Sequence, residues 1–504
     1  RFGFILQIAM RHKARFTLFL ILSIACLGLA AWLAAGQKRQ YDAALSRFPT
    51  GATIAGIPVG GLDARAAGLR VVQVYAQTPV QLRIDGSPVE IQPASAGQQL
   101  DLQAMLAAAD RSTRAASYWA GFWDFLWRRL PSGFNVPLAC SVSPEPLRAF
   151  LEQEILPRYS QAPQPAAPVP GDVLFRPGAP GVTLDLDGVE EKLQAAFCSP
   201  TQRVVDLATT RVAAPQASLD SLGPVLETLT QVSNYDGVIE VYFQDLKTGR
   251  EINFAYNQGH PVTPGIAFTG ASTIKIPVMV SAYRRAASPL PDELARRMSL
   301  MIDLSDNAST DDVMKQTLDE NLAPIQVTQD MQALGLQNTF LAGFFYPGAP
   351  LLERYQTPAN QRSDLDTQPD VYNQTTPADM GVLLAAIERC ASEGSGPLIQ
   401  TFSGQITQAK CQEMTALLKK NRKGVLLEAG LPEGTPIAHK YGWVTDSTDG
   451  LLHTASDAAI IYTPGGNFVF TVYFYHPTQL PWDDAQRLVA RLATAVYNFY
   501  NPAP

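Results

Sequence analysis

Residues 270–279 read Gly-Ala-Ser-Thr-Ile-Lys-Ile-Pro-Val-Met. If this stretch opens a helix, Ser272 and Lys275 are three apart and share one face, with an amine in reach of a hydroxyl. Pro277 is tolerated in a first helical turn, and Ile274, Val278, Met279 and Tyr283 supply an apolar stripe that buries the helix. Burial penalises an ammonium, so a neutral Lys275 is able to take the proton of Ser272. About one Ser-x-x-Lys is expected by chance in a chain this long, and the competing reading is an ordinary buried helix with a capping serine.

The surrounding chain narrows the choice. Its 504 residues exceed one typical core, so two or three domains are expected beyond the N-terminal region. A net charge of −7 with no later basic cluster argues against a nucleic-acid partner. Thirty-eight prolines and 17% charged residues suit an ordered extracytoplasmic protein with long connections. Phe16 to Ala35 form a run of twenty without a charge, long enough to cross a bilayer. Arg1, Arg11, Lys13 and Arg15 precede the run and only Lys38 and Arg39 follow closely. The charges predict a single-pass cell-membrane protein with cytoplasmic residues 1–15, an anchor at 16–35 and all else outside. A signal peptide cut near Ala31 to Ala35 is the rival reading; the length of the run favours the anchor.

Cys26 reads as a small apolar residue inside that run. The other cysteines fall in two sets, Cys140 with Cys198 and Cys390 with Cys411, and an outside location permits two bridges. His12, His260, His439, His453 and His476 show no metal-ligand spacing, so neither a metal nor a cofactor is expected.

Residues 41–217 read as an α/β segment. A strand at 52–59, a turn at Gly60-Gly61, a helix at 63–75 and two strands about Asp85-Gly86 are followed later by a turn, strand and helix over 177–197. Gly51-Ala-Thr-Ile-Ala-Gly-Ile-Pro-Val-Gly-Gly-Leu and the Ala-rich helix after it resemble the peptidoglycan-binding domain found beside VanW-type proteins. The resemblance implies wall binding; a spacer role has equal weight. Tyr118, Trp119, Phe122, Trp123, Phe125, Leu126 and Trp127 crowd one short helix ending in Arg128 and Arg129. Such a helix can lie on a membrane, hold a glycan or plug a core, and core packing is the reading adopted. The proline-rich stretch 161–171 reads as a stiff linker.

Residues 218–504 begin with an amphipathic helix, a strand at 238–246 and a second strand through Tyr256. After the Ser272 helix and a mostly helical middle come a hairpin about Pro464-Gly465-Gly466 and a helix from Trp482 to Tyr500, apolar at 485, 488, 489, 492 and 496. The expected fold class is α/β (α+β): one antiparallel sheet joined by the two ends of the domain, covered by a helical lobe.

Ser305-Asp306-Asn307 and Lys440-Tyr441-Gly442 follow Ser272-x-x-Lys275 in order. This domain resembles the class A β-lactamase and penicillin-binding family, including Asp245 to Gly249 before the serine and Thr375-Thr-Pro377 before a helix. The resemblance implies a serine hydrolase acting on a β-lactam or a peptidoglycan stem peptide. In it Ser272 is acylated, Lys275 assists deprotonation and Ser305 passes a proton to the departing nitrogen. Asn307 holds the substrate amide and Lys275, Asp306 organises its loop, and Lys440 attracts the substrate carboxylate. The oxyanion would lie between the backbone N–H groups of Ser272 and Trp443, after Gly442. His439 receives no role, because strand alternation turns it away.

Three departures bear on mechanism. Ser305 follows Ser272 by 33 positions, a short interval that predicts a trimmed helical lobe and an open cleft. Tyr441 replaces the usual small hydroxyl residue. Arg354-Tyr-Gln-Thr-Pro-Ala-Asn360 matches the family's Ω-loop at Arg354 and Asn360 but places Gln356 where a deacylating glutamate belongs. A carboxamide cannot take a proton from water, so slow release of the acyl group is one expectation. Glu353, Asp364 or Asp366 reaching the water by another path is the other.

Overall fold

The computed structural model describes residues 2–129, 131–446 and 449–503, with side chains from Phe16 onward. Arg1 and the side chains of Arg11, Lys13 and Arg15, used above for orientation, lie outside that description. The chain divides into two units, residues 1–163 with 180–213 and residues 164–179 with 214–504.

The first unit opens with a helix over Phe2–Leu45. Its part from Phe16 to Leu45 is long and apolar enough to cross a membrane, a test that a signal sequence also passes. Phe16, Ile24 and Trp32 on it are 71%, 61% and 72% exposed, so no protein surface covers the stretch. Two small cores follow. Ile54, Val71, Tyr75, Met105 and Val136 form one. Val80, Leu82, Leu147, Leu193 and Phe197 form the other. Helix starts are set by side-chain caps: Asp63 accepts from the N–H of Ala66 and Asp101 from that of Ala104, both at 2.8 Å. Strand Val204–Leu207 pairs in parallel with Val80–Ile84, and the Cys140–Cys198 disulfide ties the strand Cys140–Val142 to the end of the helix Val189–Phe197.

The aromatic helix, Tyr118–Leu126, corrects an expectation. It has no buried residue, and Trp119, Trp123 and Trp127 are 70%, 59% and 64% exposed. Both cores are already filled by residues of other elements, and only the Tyr118, Phe122 and Phe125 side packs, against Tyr41.

The second unit is built on six antiparallel strands: β1 (Val238–Asp245), β2 (Glu251–Asn257), β3 (His260–Val262), β4 (Ile437–Thr445), β5 (Leu452–Thr463) and β6 (Gly466–Tyr475). Their spatial order is β3-β2-β1-β6-β5-β4, so the two ends of the domain meet at the β1–β6 pair. β1 is buried along almost its whole length because both faces of the sheet are covered. On one face lie the helices Leu219–Val232 and Trp482–Tyr500. The latter buries Ala485, Leu488, Val489, Leu492 and Val496 at helical spacing, and truncating Leu492 to Ala would cost about 2–5 kcal/mol. Residues 164–179 join this unit because Ala166 and Phe175 enter the same core, with Phe175 edge-on to Phe499.

The opposite face carries the helical lobe, packed around Ile276, Met279, Met301, Val313, Leu384 and Ile460. Gly381 lets the helix Pro377–Glu393 lie directly on the sheet: a Cβ there would stand 2.3 Å from the Tyr242 ring. The Cys390–Cys411 disulfide joins that helix to Gln408–Leu418. Both cysteine pairs therefore bond as the sequence suggested.

Candidate active site

Ser272 lies in a single 3₁₀ turn, Ala271–Ile274, that runs directly into the helix Lys275–Arg285. The turn is fixed from three sides. Thr273 Oγ1 bonds Gly270 O at 2.6 Å and Tyr473 Oη of β6 at 2.7 Å. The N–H of Gly270 donates to Asn373 O at 3.2 Å. From the third side comes β4, where Gly442 approaches so closely that a Cβ would stand 2.8 Å from the Ser272 nitrogen. Two non-glycine residues here hold left-handed backbone, Ala271 at φ 46° and Ser305 at φ 59°; such strain costs of order 1–3 kcal/mol and persists only where packing enforces it.

Lys275 is fully buried, and its Nζ donates to Ser272 Oγ at 2.9 Å, Asn307 Oδ1 at 2.8 Å and Ser305 Oγ at 3.4 Å. Ser305 Oγ donates to Ser272 Oγ at 2.7 Å. The four residues thus form one hydrogen-bonded cluster, with Ser272 itself only partly buried and open to a substrate. Burial lowers Lys275 to about 8, against the opposing carboxylates of Asp306 and Asp311. Roughly a tenth of the amine is then neutral at pH 7, and this form accepts a proton from a serine.

Lys440 is also fully buried, on β4, with Nζ donating to Tyr441 O at 3.1 Å. Burial, then repulsion from Lys275, lowers it to about 7. Two buried ammonium groups within each other's field disfavour each other's charge. Asp306 caps the helix Asn307–Thr317 by accepting from the N–H of Ser309 at 2.7 Å. The Tyr441 ring lies 4.2 Å from Lys440 Nζ, enters the core on the other side of the sheet and stacks on Trp443 at 4.8 Å between ring centres. Trp443 is 41% exposed.

Among the described residues, the Ω-loop candidates make no hydrogen bond to the cluster. Gln356 is exposed. Asn360 organises its loop, with Nδ2 donating to Tyr355 O at 3.1 Å and Gln374 Oε1 at 3.0 Å. Glu353 accepts from Tyr355 Oη, Asp364 is paired with Arg362, and Asp366 accepts from the N–H of Gln368.

Several contributors escaped sequence reasoning. The Phe345 ring lies 5.1 Å from Lys275 Nζ, and its backbone N–H donates to the buried Asp311. His439 faces away from Lys440, as alternation requires, yet it is wholly buried between Asp457 Oδ1 at 3.0 Å and Asn421 O at 2.6 Å. The Asn421 carbonyl only accepts, so Nε2 donates to it, and Nδ1 meets the Asp457 carboxyl group. Burial is the largest influence and lowers its pKa, but Asp457, Asn421 and Glu428 together hold it above the usual value. Asn421 Nδ2 donates back to His439 O at 3.1 Å, which fixes β4 beside Lys440. None of these pairings has a sequence spacing that announces it. A cavity of about 570 Å³ elsewhere in the unit, lined by Asp245, Glu388, Arg389 and Pro464 among others, contains no residue of the cluster.

Residues 293–500 match the Beta-lactamase enzyme family. The match takes in Ser305, Asn307 and Lys440 and begins after Ser272 and Lys275. Over these residues the second unit therefore resembles a β-lactamase-family, serine-hydrolase-like domain. No curated protein matches the chain. Among solved structures, PBP-A is similar at 20% identity over 57% of this chain and 99% of that chain, with a TM-score of 0.40. An ancestral class A β-lactamase is similar at 23% identity over 55% and 98%, TM-score 0.38. A β-lactamase from Sphaerobacter thermophilus is similar at 18% identity over 56% and 98%, TM-score 0.39.

Proposed function

We propose that the protein is a membrane-anchored, extracytoplasmic active-site-serine hydrolase whose Ser272 is acylated by β-lactams or related amides. The observation that carries this reading is the Ser272 Oγ held at 2.9 Å from the buried Lys275 amine and at 2.7 Å from Ser305 Oγ. Neutral Lys275 takes the Ser272 proton as Oγ attacks the substrate carbonyl. Ser305 then relays a proton to the leaving nitrogen, and the N–H groups of Ser272 and Trp443 receive the oxyanion. Lys440 attracts the substrate carboxylate, and Asn307 holds the substrate amide beside it. In this reading Gln356 occupies the deacylating position and lacks a proton-accepting carboxylate, so acylation outpaces release.

The exposed Gln356 favours a second reading, a D-Ala-D-Ala carboxypeptidase or transpeptidase, which uses the same serine without a lactamase's water-activating base. A sensor in which acylation is the signal is the third. Residues 41–217, with their VanW-type resemblance, would bind peptidoglycan or space the hydrolase from the membrane. The assay is the full chain on a chromogenic β-lactam and on a D-Ala-D-Ala peptide. Sustained hydrolysis of the first favours a lactamase, release of D-Ala favours the wall enzyme, and neither favours the sensor. Activity that survives Ser272→Ala would refute the choice of nucleophile.

A further inference from the structure

The exposed tryptophans of the first unit lie on a surface that the hydrolase chemistry does not use. Trp119, Trp123 and Trp127 are spaced four apart, so they and Leu126, 40% exposed, lie along one side of the aromatic helix. At 59–70% exposure, three rings of roughly 150–250 Å² each present a few hundred Å² of apolar surface, the size of patch that on a monomer is often functional.

The other side of this helix fixes where that surface sits. Tyr118, Phe122 and Phe125 pack on Tyr41 of the N-terminal helix, with ring centres 5.3, 5.5 and 5.4 Å away. Tyr118 Oη donates to Asp42 at 2.7 Å, and Lys38 Nζ lies 5.6 Å from the Tyr118 ring. Gly121 leaves room for the Tyr41 hydroxyl, which an added Cβ would meet at 2.2 Å. Tyr41 comes six residues after Ala35, about 9 Å along a helix. The headgroup layer on each side of a bilayer is roughly 5–8 Å thick. A helix about 10 Å across, seated at the height of Tyr41, therefore reaches the headgroups. Lys38, Arg39, Arg128 and Arg129 outnumber Asp42 and Asp124 at that level, which suits lipid phosphates.

We propose that the Trp119–Trp123–Leu126–Trp127 face seats in the headgroup layer of the bilayer that the N-terminal helix enters, giving the first unit a second, non-spanning hold on the membrane. The inference rests on the reading of 16–35 as an anchor. Tryptophan suits this layer because its ring is apolar and its N–H remains hydrogen-bonded to water or lipid.

The test uses the full chain in vesicles of phosphatidylcholine with a minor share of phosphatidylglycerol, brominated near the glycerol end of the acyl chains. The three-tryptophan contribution is the emission of the natural chain minus that of the Trp119→Ser, Trp123→Ser, Trp127→Ser variant. The Trp32 contribution is the corresponding difference for Trp32→Phe. Expected is a loss of about half of the three-tryptophan emission to bromolipid, a shift to shorter wavelength and weak quenching by aqueous iodide. Bromine quenching of Trp32 but not of the three overturns the inference and leaves the anchor standing. Quenching of neither overturns both. Protection of the three by soluble peptidoglycan fragments, without bromine quenching, would assign the surface to glycan instead. Unchanged far-ultraviolet dichroism of the variants excludes misfolding as the source of any difference.

Discussion

Two regions of the second unit are built in opposite ways. The Ser272 corner is tightly packed and over-determined: Lys275 and Lys440 are fully buried, four polar side chains bond to one another, and the Ser272 turn is held by β6, β4 and Asn373. The 353–366 loop is ordered around Asn360, but its acids are tied to their own neighbours and Gln356 faces solvent. In the proposed function, forming an acyl-enzyme draws on the first region, and hydrolysing it would draw on a base from the second. Under the proposed function, the contrast amounts to a site built for acylation more than for release of the acyl group.

The strongest way to break the comparison is at Lys275. Lys275→Met keeps the length and removes the amine, and acylation measured by stopped flow should slow about 10²–10⁴-fold. If the neutral amine is the proton acceptor, the acylation rate of the natural chain at saturating β-lactam should rise with pH through about 8 and then level off, because burial has lowered the Lys275 pKa to about 8. A rate still climbing toward pH 10, as for an ordinary lysine of about 10.4, would remove Lys275 from that role.

Gln356→Glu sharpens the other side. If Gln356 stands where the water is activated, steady-state turnover of a chromogenic β-lactam should rise roughly 10–100-fold with acylation unchanged. Unaltered turnover would move the missing base elsewhere in the loop. The smallest effect is expected at Tyr473→Phe, which removes the hydroxyl bound to Thr273. About 1 kcal/mol of positioning is at stake, so acylation should slow only a few-fold with little change in melting temperature.

What could be read in advance was what is local or periodic. The Trp482–Tyr500 helix carries its buried stripe in its spacing, and the hairpin about Pro464-Gly465-Gly466 is announced by its turn residues. The order of the three motifs pointed to residues that the fold brings together. What could not be read depends on which surface meets which. Phe345 and Asp311 reach Lys275 through a loop, and His439 finds Asp457 across a strand pair and Asn421 through a turn. The aromatic helix was misjudged for the same reason. Its composition suits a core, a membrane or a glycan equally, and only the packing of Tyr118, Phe122 and Phe125 on Tyr41 leaves the tryptophans outside.

The proposed split between an acylating Ser272 corner and a 353–366 loop without a deacylating base is tested most directly by the lifetime of the acyl-enzyme. A brief pulse of a penicillin, followed by intact-mass measurement over time and peptide mapping, reads both the site and the rate of release. An adduct confined to the peptide containing Ser272 and persisting for minutes is the expected result. Continued consumption of the penicillin with no detectable adduct, or an adduct on any other residue, would contradict it.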